Sequence, residues 1–170
     1  NNWVMKCDNC SANKAPNRNP RAPLGDMRTG FTGDRLGIDI LGPFPRTPRG
    51  NRYILVCTDH FSKWVEIFPI PDQLASTCAQ CIVNEVICRF GSPLDLHSDQ
   101  ARNFESDIFS EICRMLEIRK TRTSSKNPKC NGLTERFNLT LVRMIRAYLK
   151  GQQTDWDLNL SCLAAAYRAS

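Results

Sequence analysis

Three carboxylates stand where side chains can do chemistry. Asp39 interrupts the alternating run Leu36-Gly37-Ile38-Asp39-Ile40, on the face opposite its apolar residues. Asp99 follows the short apolar stretch Leu94–His97 in Ser98-Asp99-Gln100. Glu135 lies one turn into a long helical pattern, off its apolar stripe, with 35 residues between it and Asp99. Carboxylate oxygens are hard donors that suit Mg²⁺ or Mn²⁺ and not zinc. Position alone leaves each one open to being an ordinary polar residue at an element end, and the spacing by itself is a weak signal. No nucleophile–base set stands out, since His60 and His97 are the only histidines and His97 reads as a strand-end residue. Cys7 and Cys10 form a C-x-x-C, half of the four ligands a zinc site needs. Cys78 and Cys81 repeat that spacing on an amphipathic helix, where core packing is the favoured reading.

The elements that must position these residues follow from hydrophobic period and punctuation. Leu36, Ile38 and Ile40 alternate as a strand ended by Gly42-Pro43, and Pro45 to Asn51 is a turn. Tyr53–Cys57 is apolar on both faces, as a central strand is, and Trp64–Phe68 is a third strand. Short connections make these three an antiparallel meander. The period then changes: Ala75, Cys78, Ile82, Val86 and Phe90 mark a helix closed by Gly91 and Pro93. Leu94–His97 is a short strand, and Ser106 caps a helix whose face carries Phe109, Ile112, Cys113 and Leu116. Ile118–Thr123 is a fifth strand, and residues 124–132 are a polar loop. A long helix carries Leu133, Phe137, Leu141, Met144 or Ile145, and Tyr148; another opens at Trp156 and is cut short by the chain end. The order βββαβαβα plus a further helix predicts an α/β fold, a mixed five-stranded sheet flanked by helices. Residues 1–10 are expected to be a separate fragment, 11–34 a Pro- and Gly-broken linker, and 35–170 the folded core.

The chain has 170 residues, enough for one domain with a real core. No apolar run approaches the roughly 18 residues that span a membrane, and no signal-peptide core opens the chain. Without an initiator Met it reads as a piece of something longer. Nine Cys is an odd number, and most sit in apolar periodic segments, as buried thiols in a reducing compartment do. The sequons at Asn138 and Asn159 fall in helical patterns and read as chance. Charge is unevenly placed: net +5 over residues 1–52, −6 over 53–113 and +8 over 114–150. An acidic stretch bracketed by two basic ones fits a polyanion-binding face beside a carboxylate-rich centre.

The run Leu36–Pro43, then Tyr53-Ile54-Leu55-Val56-Cys57-Thr58-Asp59-His60-Phe61-Ser62-Lys63-Trp64, resembles the opening of a retroviral-type integrase catalytic core. Phe90-Gly91-Ser92-Pro93 leading to His97-Ser98-Asp99 resembles its second motif, and Asn131-Gly132-Leu133-Thr134-Glu135-Arg136-Phe137-Asn138 its third. Trp156 and Ala166-Tyr167-Arg168 match a later helix, and the likeness is closest to integrases of Gypsy-class LTR retrotransposons, as fragments of a Pol polyprotein. The resemblance implies an RNase H-like fold and a D-D-35-E site at Asp39, Asp99 and Glu135. It implies two Mg²⁺ (or Mn²⁺) ions held there for DNA 3′-end processing and strand transfer, a polynucleotidyl transferase or endonuclease reaction. Asp59, which also matches a common family position, reads as structural.

Lys126, Lys129, Arg136, Arg143 and Arg146, with Lys150, would then meet DNA phosphates in a salt-dependent, largely sequence-independent way. The partners implied are retroelement ends and target DNA, a second copy of the chain in a homodimer or higher multimer, and no membrane. Action would be nuclear, after synthesis in the cytoplasm, and not secreted. Cys7 and Cys10 would be the end of an H-H-C-C module, holding Zn²⁺ only in a longer chain with the upstream His pair. Relatives usually carry Gly where this chain has Ala101; if that turn needs a positive φ, Asp99 is shifted. Lys126-Asn127-Pro128-Lys129 and Leu133 are further departures. The alternative is therefore a catalytically inactive or domesticated integrase-derived domain that binds DNA or protein.

Overall fold

The computed structural model describes residues 29–123, 132–148 and 154–169, without the side chains of Leu133, Glu135 and Tyr148. Five strands make one sheet: β1 (Arg35–Leu41), β2 (Tyr53–Asp59), β3 (Val65–Ile70), β4 (Asp95–Ser98) and β5 (Arg119–Arg122). Their spatial order is β3-β2-β1-β4-β5. The first three pair antiparallel, as the short connections predict, whereas β4 returns parallel to β1 and β5 parallel to β4. Both sheet edges are blunted against further pairing: β3 carries Pro69, and β5 reads Arg-Lys-Thr-Arg.

Helices cover both faces. On one lie α1 and α2 (Asp107–Met115). Helix α1 is continuous from α-helical Ala75–Cys81 through a π-helical stretch, Ile82–Ile87, to Cys88–Phe90. They bury Cys78, Ile82, Val86, Phe109 and Cys113 against Leu36, Ile38, Leu55 and Leu96. The buried positions 78, 82 and 86 of α1 recur every fourth residue, a spacing that the wider π turn keeps on one face. Phe90, expected on that face, is instead 56% exposed, because α1 ends there at Gly91 with φ +90°. Ser106 caps α2, accepting the Phe109 amide. Burial raises the thiol pKa values, Cys78 to about 11 and Cys81 to about 12. All six described cysteines are unbridged, and Cys88 and Cys162 are exposed.

On the other face lie α3 (Gly132–Tyr148) and α4 (Leu160–Arg168). Phe137, Leu141, Ile145, Trp156, Leu160 and Leu163 pack there on Ile54, Val56, Val65 and Ile67. The last helix begins at Leu160, not at Trp156. Residues Trp156–Leu158 form a separate 3₁₀ turn because both of their polar groups are used elsewhere. The Trp156 indole donates to the Pro45 carbonyl at 2.8 Å, and the fully buried Asp157 carboxylate accepts from Thr47, Arg49 and Asn51. These bonds clamp the loop between β1 and β2 to the start of α4.

A polar layer crosses the sheet under α3. Asp95 is buried between Arg35 and Arg119, which hold its carboxyl below the usual range, the Arg119 hydrogen bond contributing most. One step along, Gly37 lies beside His97 and Thr58. A Cβ on Gly37 would meet His60 Nε2 at 2.6 Å and Thr134 Oγ1 at 2.9 Å, so α3 and β1 approach as closely as they do only with glycine there. His97 Nδ1 and Nε2 lie 2.9 Å and 3.2 Å from the hydroxyls of Thr121 and Thr123.

Two stability measurements follow. Asp157→Ala leaves three donor side chains of the clamp, with four hydrogen bonds, without their acceptor, and chemical denaturation is expected to read a loss of roughly 2–3 kcal/mol. A loss below about 0.5 kcal/mol, the size of an ordinary surface substitution, would contradict the clamp. His60 is pushed down to about 4, first by burial, then by His97, Arg35 and Lys63. The unfolded chain therefore takes up a proton at this position below about pH 6.5 that the folded chain refuses. Stability falls as pH drops from about 6.5 towards 4, by at most about 3 kcal/mol from this residue, and is flat above. His60→Asn should make that limb shallower, the buried His97, also pushed down, keeping the rest; an unchanged limb would show that the folded chain does not disfavour the His60 proton.

Candidate active site

Asp39 and Asp99 both follow the paired stretch of two neighbouring parallel strands. In the parallel pairing of β1 with β4, Arg35 faces Asp95, Leu36 faces Leu96 and Gly37 faces His97. The pairing ends at Gly37 and His97; Asp39 lies two residues past Gly37 within β1, and Asp99 two residues past His97, directly after β4. The carboxyl-terminal end of adjacent parallel strands is where open α/β sheets place ligands. Asp39 shares its face with Gly37, since side chains alternate along a strand. That face is not open to solvent, as the alternation alone would allow, but is covered by α3.

Each carboxylate is oriented by neighbours. The Ile40 amide donates to Asp39 Oδ1 at 2.8 Å, and Asn138 Nδ2 donates to Asp39 Oδ2 at 2.7 Å. The Ala101 amide donates to Asp99 Oδ1 at 3.0 Å, in a turn whose Ala101 carbonyl also accepts from Phe104 and Glu105. Ala101 is not in the left-handed region; the non-glycine residues with positive φ among those described are Lys63 and Glu117. The expected cost of Ala at this turn is therefore absent.

Glu135 follows Thr134 on the first turn of α3, and its side chain is outside the description. Thr134 reaches over Gly37 and Asn138, one turn on, over Asp39, so α3 runs along β1 and carries the Glu135 backbone between these two contacts. Asp39 and Asp99 offer hard carboxylate oxygens of the kind that divalent cations take. Among the described residues no three metal-ligating side chains converge.

Arg136, Arg143 and Arg146 are exposed on α3. Lys126 and Lys129 lie outside the described residues, as do Cys7 and Cys10. Asp59 is committed elsewhere: it accepts the Gly33 amide at 3.1 Å, the Ser62 amide at 2.8 Å and the Ser62 hydroxyl, stapling the β2–β3 turn to the chain before β1. Asn138 is the functional candidate that the sequence reading missed. Its position three residues after Glu135, on the same side of the helix, was the available signal.

Residues 32–128, more than half of the chain, match the family model described as integrase core domain. The chain is 27% identical over 169 residues to the human Gypsy retrotransposon integrase-like protein 1, covering 99% of this chain and 32% of that protein. It spans about a third or less of the length of the curated relatives it matches. The catalytic core domain of BIV integrase superposes with a TM-score of 0.62 and 26% identity, over 79% of this chain and 82% of that one. The HTLV-2 integrase catalytic core domain, solved in complex with magnesium in a trimeric form, superposes at 0.61 and 18% identity, over 78% and 85%. The mixed sheet with α3 laid along β1 is thus the RNase H-like architecture of integrase cores, and the chain belongs to the integrase core domain family.

Proposed function

We propose that this core carries out metal-dependent DNA integration, cutting a retroelement 3′ end and joining it to target DNA. The observation that carries the reading is the parallel β1–β4 pairing, past which the chain leads to Asp39 in one strand and Asp99 after the other, with Asn138 of α3 bonded to Asp39. Asp39, Asp99 and Glu135 would hold two Mg²⁺ or Mn²⁺ ions, and the magnesium complex of the HTLV-2 core supports that choice. When bound, such ions would supply charge stabilisation to an in-line phosphoryl transfer.

The chain's own groups supply the positioning. Asn138 fixes the rotation of the Asp39 carboxylate by binding one oxygen, while the Ile40 amide binds the other. The Ala101 amide does the same for one oxygen of Asp99. Carboxylates fixed before substrate arrives need no reorganisation during the reaction. Lys126, Lys129, Arg136, Arg143 and Arg146 would bind DNA phosphates beside them. The nucleophile is water in end processing and a DNA 3′-hydroxyl in strand transfer, so no covalent enzyme intermediate forms. We place the working form as a homodimer or higher multimer acting in the nucleus. The Cys7–Cys10 pair would bind zinc only together with further ligands. An inactive core drew part of its support from Ala101, and a backbone outside the left-handed region there favours the active reading.

The test is disintegration of a branched DNA substrate with Mg²⁺ or Mn²⁺, a reaction that asks only for the metal site. Wild type is expected to resolve the branch, and Asp99→Asn and Glu135→Gln to abolish resolution. Asn138→Ala should retain the fold and lose roughly 10–100-fold in activity, as removal of a ligand's hydrogen-bond partner does. Equal resolution by wild type and Glu135→Gln, or by neither while DNA binding persists, would sink the proposal.

A further inference from the structure

The loop between β1 and β2 carries three arginines and no acid. From residue 40 to residue 58 the chain has Arg46, Arg49 and Arg52 and neither Asp nor Glu. The segment continues the β1–β2 hairpin past Asp39, with the Phe44 amide on the Arg52 carbonyl at 2.7 Å and the Thr47 amide on the Asn51 carbonyl at 3.0 Å. It therefore projects from the same end of the sheet as Asp39 and Asp99.

The three arginines are not equivalent. Arg49 is committed inward: Nε and Nη2 grip the buried Asp157 carboxylate at 3.1 and 2.9 Å. Arg46 and Arg52 are exposed, and neither makes an ion pair with a described residue. The loop that holds them is rigid by construction, because Thr47, Asn51 and the Pro45 carbonyl are tied to Asp157 and Trp156, and Phe44 packs on the Trp156 ring at 5.2 Å. Arg146 of α3 lines a crevice of about 210 Å³ together with Pro43, Phe44 and Pro45, so the hairpin stands directly beside the exposed basic positions of α3. An anchored loop that spends one arginine on the anchor and displays two others on the hairpin beside Arg146 is a preorganised cationic surface.

We infer that the β1–β2 hairpin is a second contact to duplex DNA, with Arg46 and Arg52 binding backbone phosphates next to those met by α3. The inference rests on the DNA-binding reading of α3 and extends it to a surface 7 to 13 residues beyond Asp39 in the chain. Because guanidinium contacts to phosphate carry no base information, binding through the hairpin is sequence-independent. It adds to the salt dependence, each phosphate neutralised contributing about 0.9 to the slope of log K against log salt.

The experiment is fluorescence anisotropy of the full chain with a blunt duplex of arbitrary sequence across a salt series. It compares wild type, Arg46→Gln/Arg52→Gln, Arg143→Gln/Arg146→Gln and Arg49→Gln, each with a melting curve. The hairpin pair is expected to lower the salt slope by about 1.8 and weaken binding roughly ten-fold or more at about 0.1 M salt, with an unchanged melting temperature. Arg49→Gln should do the reverse, lowering the melting temperature by a few degrees and leaving the salt slope in place. If the α3 pair weakens binding while the hairpin pair matches wild type, the hairpin inference falls and the proposed function stands. Absence of salt-dependent binding by wild type would overturn both. An Arg49→Gln slope reduced as much as that of the hairpin pair would contradict the division between anchored and displayed arginines.

Discussion

The approach of α3 to β1 at Gly37 is the contact on which the candidate site depends. With no Cβ in the way, Thr134 and His60 bring polar atoms to within 3 Å of the point a side chain would occupy. That closeness fixes the height and rotation of α3 over the sheet. One turn later Asn138 lands on Asp39, and Phe137, Leu141 and Ile145 seat on Ile54 and Val56. The helix that carries Glu135 is thereby held by the close approach at Gly37, the Asn138–Asp39 hydrogen bond and an apolar seam along the rest of its length. A methyl group at position 37 would lift the helix where its placement matters most, because a packed interior has little slack to absorb even one methylene.

The other half of the arrangement is the sheet. A parallel β1–β4 pair cannot be made by a hairpin, so the chain must run through β2, β3 and α1 before β4 returns beside β1. That detour lets residues 60 apart in sequence, Asp39 and Asp99, share one end of the sheet. Buried ionic contacts then lock the connections: Arg35–Asp95–Arg119 ties β1, β4 and β5 together at the far end, and Asp157 ties the β1–β2 loop to the start of α4. Breaking such a pair leaves a buried charge uncompensated, which makes each a strong constraint on loop conformation.

Much of this was legible in the sequence, for identifiable reasons. The strands and the amphipathic faces of α1, α2 and α3 followed from period, because burial acts on each residue locally. The placement of Asp39 opposite Ile38 and Ile40 followed from alternation. What escaped were relations between distant residues of ordinary type. Asn138 is an ordinary polar residue of a helical pattern, and its partner lies 99 residues away. Asp157 and Arg49 are 108 residues apart and carry no local pattern. The π-helical stretch in α1 and the start of α4 at Leu160 depended on tertiary packing and on polar groups of the β1–β2 loop. The worry over Ala101 came from comparing residue types without the backbone angle that decides the matter.

The central claim is that Asp39, Asp99 and Glu135 form one divalent-cation site. Crystals of the chain soaked in Mn²⁺ and measured for anomalous scattering test it most directly. The account predicts anomalous peaks between the Asp39 and Asp99 carboxylates, with Glu135 turned in from α3. Peaks elsewhere, or none while those carboxylates stand in their present hydrogen bonds, would contradict it.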